Sequence, residues 1–428
     1  MAIEIHESFP RYTDFDPRVP VWCVTPGEGR TIHRFFDTPP FSPSGRYLAL
    51  LRLPFEDRLP APGDAAEVVL VDLHAGAERV LTTTRGWEPQ MGANINWGAD
   101  DHALFYNDVD VSDWSCFAVR LDPLTGEKRR LGGTVYQASP DGRHLASADM
   151  RAMRRTQAGY GVMVPDELVP RRVGPRDDDG LWITDTETGE ARLVASIAKI
   201  VRDATPAVEM DDPSKYEIYG FHAKWNPQGD RLLFTLRWYA DPGESLFGAM
   251  GRGGHRTLKF TVFTLRPDGT EICSAVGKSE WDKGGHHINF FPDGRRLSMN
   301  LSIERRGLRF VQCNLDGTDL RKILESPPGS GHPTVHPDGR HILADCYAHG
   351  QMAFDDGTTP LRWVDVQTGE DRHLVRFPAL SPHRETHGAL RVDPHPAWDR
   401  SWRWVAFNAY LGGTRRVLVA DLASVIGE

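Results

Sequence analysis

The chain has 428 residues, room for two or three ordinary domains or for one large β architecture. Its 59 acidic side chains outnumber the 50 basic ones, and a net charge of -9 with no long basic run argues against a nucleic-acid backbone as partner. No stretch is long and apolar enough to cross a membrane, the opening "MAIEIHESFPRYTDF" lacks the apolar segment of a secretory signal, and five scattered cysteines suit reduced thiols, so a cytoplasmic location is expected.

In chain order, one pattern repeats. "FSPSGRYLALLRL" at 41 returns as "WGADDHALFYND" at 97, "ASPDGRHLASAD" at 138, "WNPQGDRLLFTL" at 225, "FFPDGRRLSMNL" at 290, "VHPDGRHILADC" at 335 and "WDRSWRWVAFNA" at 398. Each copy is a polar turn followed by an alternating apolar strand, which is hairpin chemistry. A second hairpin follows in each unit, from "VVLVDLHAGAERVL" through "LRWVDVQTGEDRHLV". The seventh unit, "RRVLVADLASVIGE", stops short of its fourth strand. Seven units of four strands predict an all-β, seven-bladed β-propeller of four-stranded antiparallel blades over residues 1–428. The exposed edge of the seventh unit needs a partner, and "PVWCVTP" (20–26) is expected to supply it.

Turns between the first and second strands, and between the third and fourth, are short and alike. Extra length falls in the other connections: 52–67, 150–180, 195–220, 238–259, 346–361 and 376–393. These all leave one face of a propeller, where a rigid scaffold carries its functional loops.

Aligned on their turns, the innermost strands carry a histidine column near the channel mouth on that face. His222, His287, His332 and His395 occupy one repeat position in four consecutive units, and Thr38, Asn94 and Val135 occupy it in the first three. Converging imidazoles predict a divalent metal, zinc or manganese rather than calcium, which prefers oxygen. His286 is expected to point away from His287 by strand alternation. Asp345 is placed to orient an imidazole from behind.

"MGANINWGADD", "RRTQAGYG", "DDDGLWITDTETGE" and "RVDPHPAWD" together resemble the seven-bladed propeller polysaccharide lyases: the oligogalacturonate, ulvan and rhamnose–glucuronate lyases. The resemblance implies cleavage of a uronate-containing, acidic oligosaccharide by metal-assisted β-elimination. That chemistry needs a cation for the C6 carboxylate, a base for the C5 proton and an acid for the leaving oxygen. It implies Tyr160 for proton transfer and Arg176 as the carboxylate clamp. Asn94 stands where the family commonly has a histidine, able to hydrogen-bond a carboxylate but not to act as a base. A second family histidine is replaced near Trp114. Arg151, Arg154 and Arg155 are expected to attract the acidic substrate. His255, His349 and His387 are reserve candidates for acid–base work on the long loops. The acidic run Asp177 to Asp179 reads as a solvated turn, and Trp97, Trp225 and Trp398 as core residues closing the inner strands. The alternative to an enzyme is a non-catalytic saccharide- or protein-binding propeller with a structural metal site.

Overall fold

A computed structural model describes residues 3–240 and 258–427. Its strands form seven four-stranded antiparallel sheets, six of them continuous in sequence. Blade 1 runs from Thr31–Ile32 to Ala77–Thr84, blade 2 from Asn96–Trp97 to Lys128–Arg130 and blade 3 from Gln137–Ala138 to Ala191–Ser196. Blade 4 runs from Tyr216–Trp225 to Cys273–Val276, blade 5 from Gly285–Phe290 to Arg321–Lys322 and blade 6 from Thr334–Val335 to Asp371–Pro378. Blade 7 holds Ala397–Trp398, Trp404–Leu411 and Thr414–Asp421, and its fourth strand is Val21–Cys23 from the N-terminal end. Val21 pairs with Ala420 and Cys23 with Leu418, so the expected closing strand covers the free edge.

Strand alternation explains how the blades hold together. In Tyr47–Arg52, Leu48 and Leu50 enter one core cluster with Trp404, Ala406, Val417 and Val419 of blade 7. Tyr47, Ala49 and Leu51 enter another with Leu104 and Tyr106 of blade 2. One strand of period 2 thus feeds the interfaces on both faces of its blade. Leu48 and Leu50 are fully buried, and each such side chain contributes about 1.5–3 kcal/mol of burial.

The long connections follow second and fourth strands. They include 53–65, 148–179 and 345–357 after second strands, and 197–215 and 379–396 after fourth strands. In an antiparallel blade these connections leave at the same end. The insertion foreseen at 238–259 falls largely outside the described residues, and His255 with it.

Blade 1 departs from the repeat. Thr31–Ile32 pairs with Leu51 and Arg52, and Phe41 bridges Leu48, but residues 33–40 leave the sheet between them. This strap crosses the channel. Phe35 lies 6.1 Å from the His222 ring of blade 4 and 4.7 Å from that of His395 in blade 7. The carbonyl of Asp37 accepts from Gln137 of blade 3 at 3.0 Å.

Candidate metal and substrate site

The strap fills the channel with paired charge and aromatic rings. Lys224 Nζ, fully buried, lies 2.8 Å from Asp37 Oδ2 and donates to the Ile288 carbonyl at 2.8 Å. Arg34 Nη1 donates to Asp37 at 2.5 Å, and its Nε donates to Asn94 Oδ1 at 3.2 Å. Burial alone raises the Asp37 carboxyl, but Lys224 and Arg34 outweigh it and hold the group below the usual carboxylate range. Phe35 and Phe36 lie above this cluster, under the histidines: Phe36 is 5.8 Å from His287 and 5.4 Å from His332.

The local backbone aims the histidines. Asn94, His287 and His395 all have positive φ, near +50° to +57°, a region that non-glycine residues rarely adopt. The inner strands of blades 4 and 5 shift register between Gly220 and Ala223, and between His286 and Asn289. Such bulges re-aim a side chain out of strict alternation. One consequence corrects the sequence reading: His286 does not point away from His287. The two rings lie 4.3 Å apart, with their Nδ1 atoms at 2.8 Å.

Three ligating groups converge on the loop face. His332, Asp393 and His395 are buried, and one ligand atom from each lies within 4.8 Å of the others. His332 Nδ1–H donates to the Asp345 carboxylate (2.9 and 3.1 Å), which also accepts the His332 backbone N–H at 2.5 Å. This fixes the tautomer and leaves Nε2 as a lone pair with no protein partner. Both ring nitrogens of His395 are equally unpartnered, and its Nε2 is 3.8 Å from Asp393 Oδ2. Burial, then the neighbouring His332, holds His395 well below the usual histidine range, in the neutral form a metal needs. Buried, orphaned imidazole nitrogens beside a carboxylate, one braced by a second carboxylate behind it, form a donor set that fits a divalent ion.

Two of the four column histidines stand apart from this set. His287 stacks on His332, centroids 3.8 Å apart, but its Nδ1–H donates to the Gly331 carbonyl at 2.6 Å. Its Nε2 therefore accepts, from the Tyr347 hydroxyl at 3.3 Å. Burial, then His332, holds His287 well below the usual range and so neutral. His222 packs on Phe221 (4.5 Å) and Tyr136 (5.4 Å), with Phe35 between it and the other rings. The turn-based alignment also misplaced the first unit. His33 has its backbone N–H on Asn408 Oδ1 (3.0 Å), as Val135 has on Asn107 (2.8 Å), so His33 rather than Thr38 holds the column position. Thr38 bonds Arg34 instead, within the strap. His33 is buried with both ring nitrogens unpartnered, 6.5 Å from His395, and burial lowers its pKa to about 3.

Of the residues expected to act on substrate, Tyr160 lies beside the metal-ligand set. Arg391 donates to both Asp393 oxygens (3.1 and 2.8 Å) and, through Nη2, to the Tyr160 hydroxyl at 3.3 Å. Burial pushes the Tyr160 phenol up to about 12, so it carries its proton at neutral pH. Arg176 is half-exposed and spends its guanidinium on Asp178 (2.9 and 2.8 Å). The substrate-attracting arginines are also committed elsewhere. Arg151 pairs with Asp149, Arg154 with the Val164 carbonyl and Asp166, and Arg155 with the fully buried Glu217. Glu217 also takes Arg171, Tyr219 (2.5 Å) and Tyr239 (2.7 Å), so this network pins the 148–179 loop to blade 4. Within the acidic run, Asp179 is buried against Arg172 while Asp177 and Asp178 are exposed. His387 caps a short turn through Ala389 N–H, and His349 sits 5.6 Å from Tyr347.

Among the described residues, two cations near Tyr160 were not singled out from the sequence, although Arg391 opens the motif "RVDPHPAWD". Arg391 is one. Arg237 is the other: its guanidinium lies 3.4 Å over Phe221, whose ring is 5.7 Å from Tyr160, and its Nη1 donates to Gln157 at 2.6 Å. Tyr347 was equally unforeseen. The available signal was position: Arg237 lies in the second strand of blade 4, Leu232–Ala240, and Tyr347 just past that of blade 6, His341–Ala344.

Comparison with solved structures agrees with this architecture. An oligogalacturonate lyase in complex with manganese matches with a TM-score of 0.62 at 17% identity, over 98% of this chain and 97% of that one. An oligogalacturonate lyase from Vibrio parahaemolyticus matches with a TM-score of 0.61 at 16% identity, again over 98% and 97%. At that identity the likeness establishes a shared seven-bladed fold. No protein-family model matches the chain, and no curated relative matches it significantly.

Proposed function

We propose that the protein is a metal-assisted lyase that cleaves uronate-containing oligosaccharides by β-elimination. One observation carries this reading: the donor set of His332, Asp393 and His395, with its unpartnered imidazole nitrogens, adjoins two proton-transfer groups, His287 with Tyr347 and Tyr160 with Arg391. The solved lyase with manganese supports it, as does the full-length likeness. His332, Asp393 and His395 would hold a divalent ion, which would supply positive charge to the substrate carboxylate and so acidify the C5 proton.

The chain's own groups do the rest. Arg391 and Arg237 hold the carboxylate through charge-assisted hydrogen bonds. His287 Nε2, a neutral acceptor at the half-exposed mouth, takes the C5 proton. Its proton sits on Nδ1, locked to Gly331, so the accepting nitrogen is fixed. Tyr160, kept protonated by burial, donates to the departing O4. Electrons move from the C5–H bond to form the C4–C5 double bond as the C4–O4 bond breaks, so no further reactant is needed.

The test is an ultraviolet assay for the unsaturated uronate product, run on acidic oligosaccharides with and without chelator. Product that appears with metal and disappears on chelation supports the reading. Saturable binding of the same oligosaccharides without product would establish the binding-propeller alternative instead.

A further inference from the structure

His286 takes no part in the metal-ligand set or in the proton transfers assigned above, yet its ring stands in the same mouth. It lies 4.3 Å from the His287 ring and 5.9 Å from that of Tyr347, and the residue is half-buried. Paired with it on the second strand of blade 5, Arg296–Leu301, is the fully buried Asn300.

Four distances fix where the hydrogens are. His287 Nδ1 lies 2.6 Å from the Gly331 carbonyl, which can only accept, so that nitrogen carries its hydrogen. The same N–H faces His286 Nδ1 at 2.8 Å. Asn300 Nδ2 donates to the Gly331 carbonyl at 2.8 Å, and its other hydrogen faces His286 Nδ1 at 3.4 Å. Turning the Asn300 amide over would set its oxygen against that carbonyl, so its orientation is fixed too. His286 Nδ1 therefore meets two donors and must be a lone pair. Burial, then the neighbouring His332, lowers the pKa of His286 to about 3, so the ring is neutral and its one hydrogen is on Nε2. No described residue accepts from this N–H. Unlike the orphaned nitrogens of His33, His332 and His395, it is not sealed from the surface.

We propose, on the lyase reading above, that His286 binds substrate: its Nε2–H donates to a hydroxyl of the sugar ring whose C5 proton faces His287 Nε2. The carboxylate of that ring goes to Arg391 and Arg237, charge to charge, which leaves a neutral oxygen for a neutral donor. The adjacent imidazoles thus offer one obligate donor and one obligate acceptor. Asn300 and the Gly331 carbonyl keep the two from exchanging roles.

Two measurements on the full chain test this. Calorimetric titration with trigalacturonate in the presence of Mn²⁺ reads affinity. His286→Phe keeps a flat ring and removes the donor, and should weaken binding by about tenfold, the worth of one neutral hydrogen bond. His286→Gln, whose amide nitrogen can reach the Nε2 position, should stay within about threefold of wild type. Equal losses in both variants, no loss in His286→Phe, or no binding by wild type would each overturn the proposal. Long-range ¹⁵N–¹H spectra of protein with ¹⁵N-labelled histidine read the tautomers without substrate. The His286 signals, identified by their loss in His286→Gln, are expected in the Nε2–H form; the Nδ1–H form would overturn the proposal as well. Ultraviolet product from wild type, with unimpaired binding by His286→Phe, discards the role of His286 alone. The expected affinities and tautomer without any product discard the lyase reading alone.

Discussion

Asp345→Asn tests the metal site through its support rather than its ligands. Asp345 is fully buried and faces His332 twice, through the backbone N–H and through Nδ1. An asparagine fits the same space and keeps one acceptor, which the backbone N–H claims. Its Nδ2–H2 then faces the ring, so His332 Nδ1 must accept and the proton moves to Nε2. That is the nitrogen assigned to the metal, and a protonated Nε2 cannot coordinate. Loss of such a supporting partner typically lowers metal affinity by about 10- to 100-fold. This corresponds to about 1.4–2.8 kcal/mol. Calorimetric titration with Mn²⁺ and with Zn²⁺ reads the change, and thermal unfolding of the metal-free protein checks the fold. Wild-type affinity in Asp345→Asn, with a folded protein, would refute the assignment of His332 as a ligand.

Four further outcomes are expected. His222→Gln should leave metal affinity unchanged while His395→Gln abolishes it, because Phe35 separates His222 from the ligand set; equal losses in calorimetry would restore His222 as a ligand. Tyr160→Phe should slow product formation by on the order of 100-fold with little change in metal binding, since it removes a proton donor and no ligand; an undiminished rate would take Tyr160 out of the reaction. Glu217→Gln strips Arg155 and Arg171 of their carboxylate and should cost about 3–5 kcal/mol in denaturant unfolding; an unchanged midpoint would show that the network does not anchor the loop. Asp179 gives a pH signature. Burial, then Asp149, raises its carboxyl to about 6, above the usual aspartate value of 3.8. The folded state therefore holds this proton more tightly, and its contribution falls as pH rises from about 4 to about 6, by about 3 kcal/mol in all. Asp179→Asn cannot ionise, so its stability relative to wild type should improve by about that amount between about pH 4 and about pH 7; a pH-independent difference would contradict the shifted carboxyl.

The repeat made the architecture legible. Turn chemistry and strand alternation are local properties, and Pro-Asp-Gly turns before apolar strands recur closely enough to count blades and place the closing strand. The site was legible only where it obeys the repeat. His332 and His395 lie at their aligned positions, and Asp345 lies behind His332 as its place at the end of a second strand suggests. His33 was hidden because the strap displaces its turn, so an alignment anchored on turns selected Thr38. Asp393 was missed because it sits two residues before His395, and positive φ at His395 brings both toward one point. Arg237 and Tyr347 lie in no motif, and Arg391, though it opens "RVDPHPAWD", takes its place through contacts with Asp393 and Tyr160 that no local pattern shows. Arg154 and Arg155 misled for the opposite reason: a basic run looks solvated, but buried partners such as Glu217 came from a distant strand.

The strap explains why the site is asymmetric on a nearly symmetric ring. Five column histidines, counting His33, surround a channel with no preferred direction of its own. Residues 33–40 enter from blade 1, and Asp37 is drawn to Lys224 in blade 4, which fixes the strap's course. Phe35 then stands among the rings, closest to His395 at 4.7 Å and further from His222 and His287 at 6.1 Å each. The rings that can still approach one another are those of blades 5 to 7, where His287 stacks on His332 at 3.8 Å and His395 meets His332 edge-on at 4.4 Å. Within that series, backbone and side-chain partners separate the roles. His287 spends Nδ1 on Gly331 and faces a hydroxyl, as a base does; His332 spends Nδ1 on a carboxylate and faces an orphaned space, as a ligand does. Apolar residues in place of the buried Lys224–Asp37 pair would hold as well energetically, since desolvation offsets most of the attraction between such charges. What the charged pair adds is direction: it ties one end of the strap to one blade, and that choice determines which histidines meet.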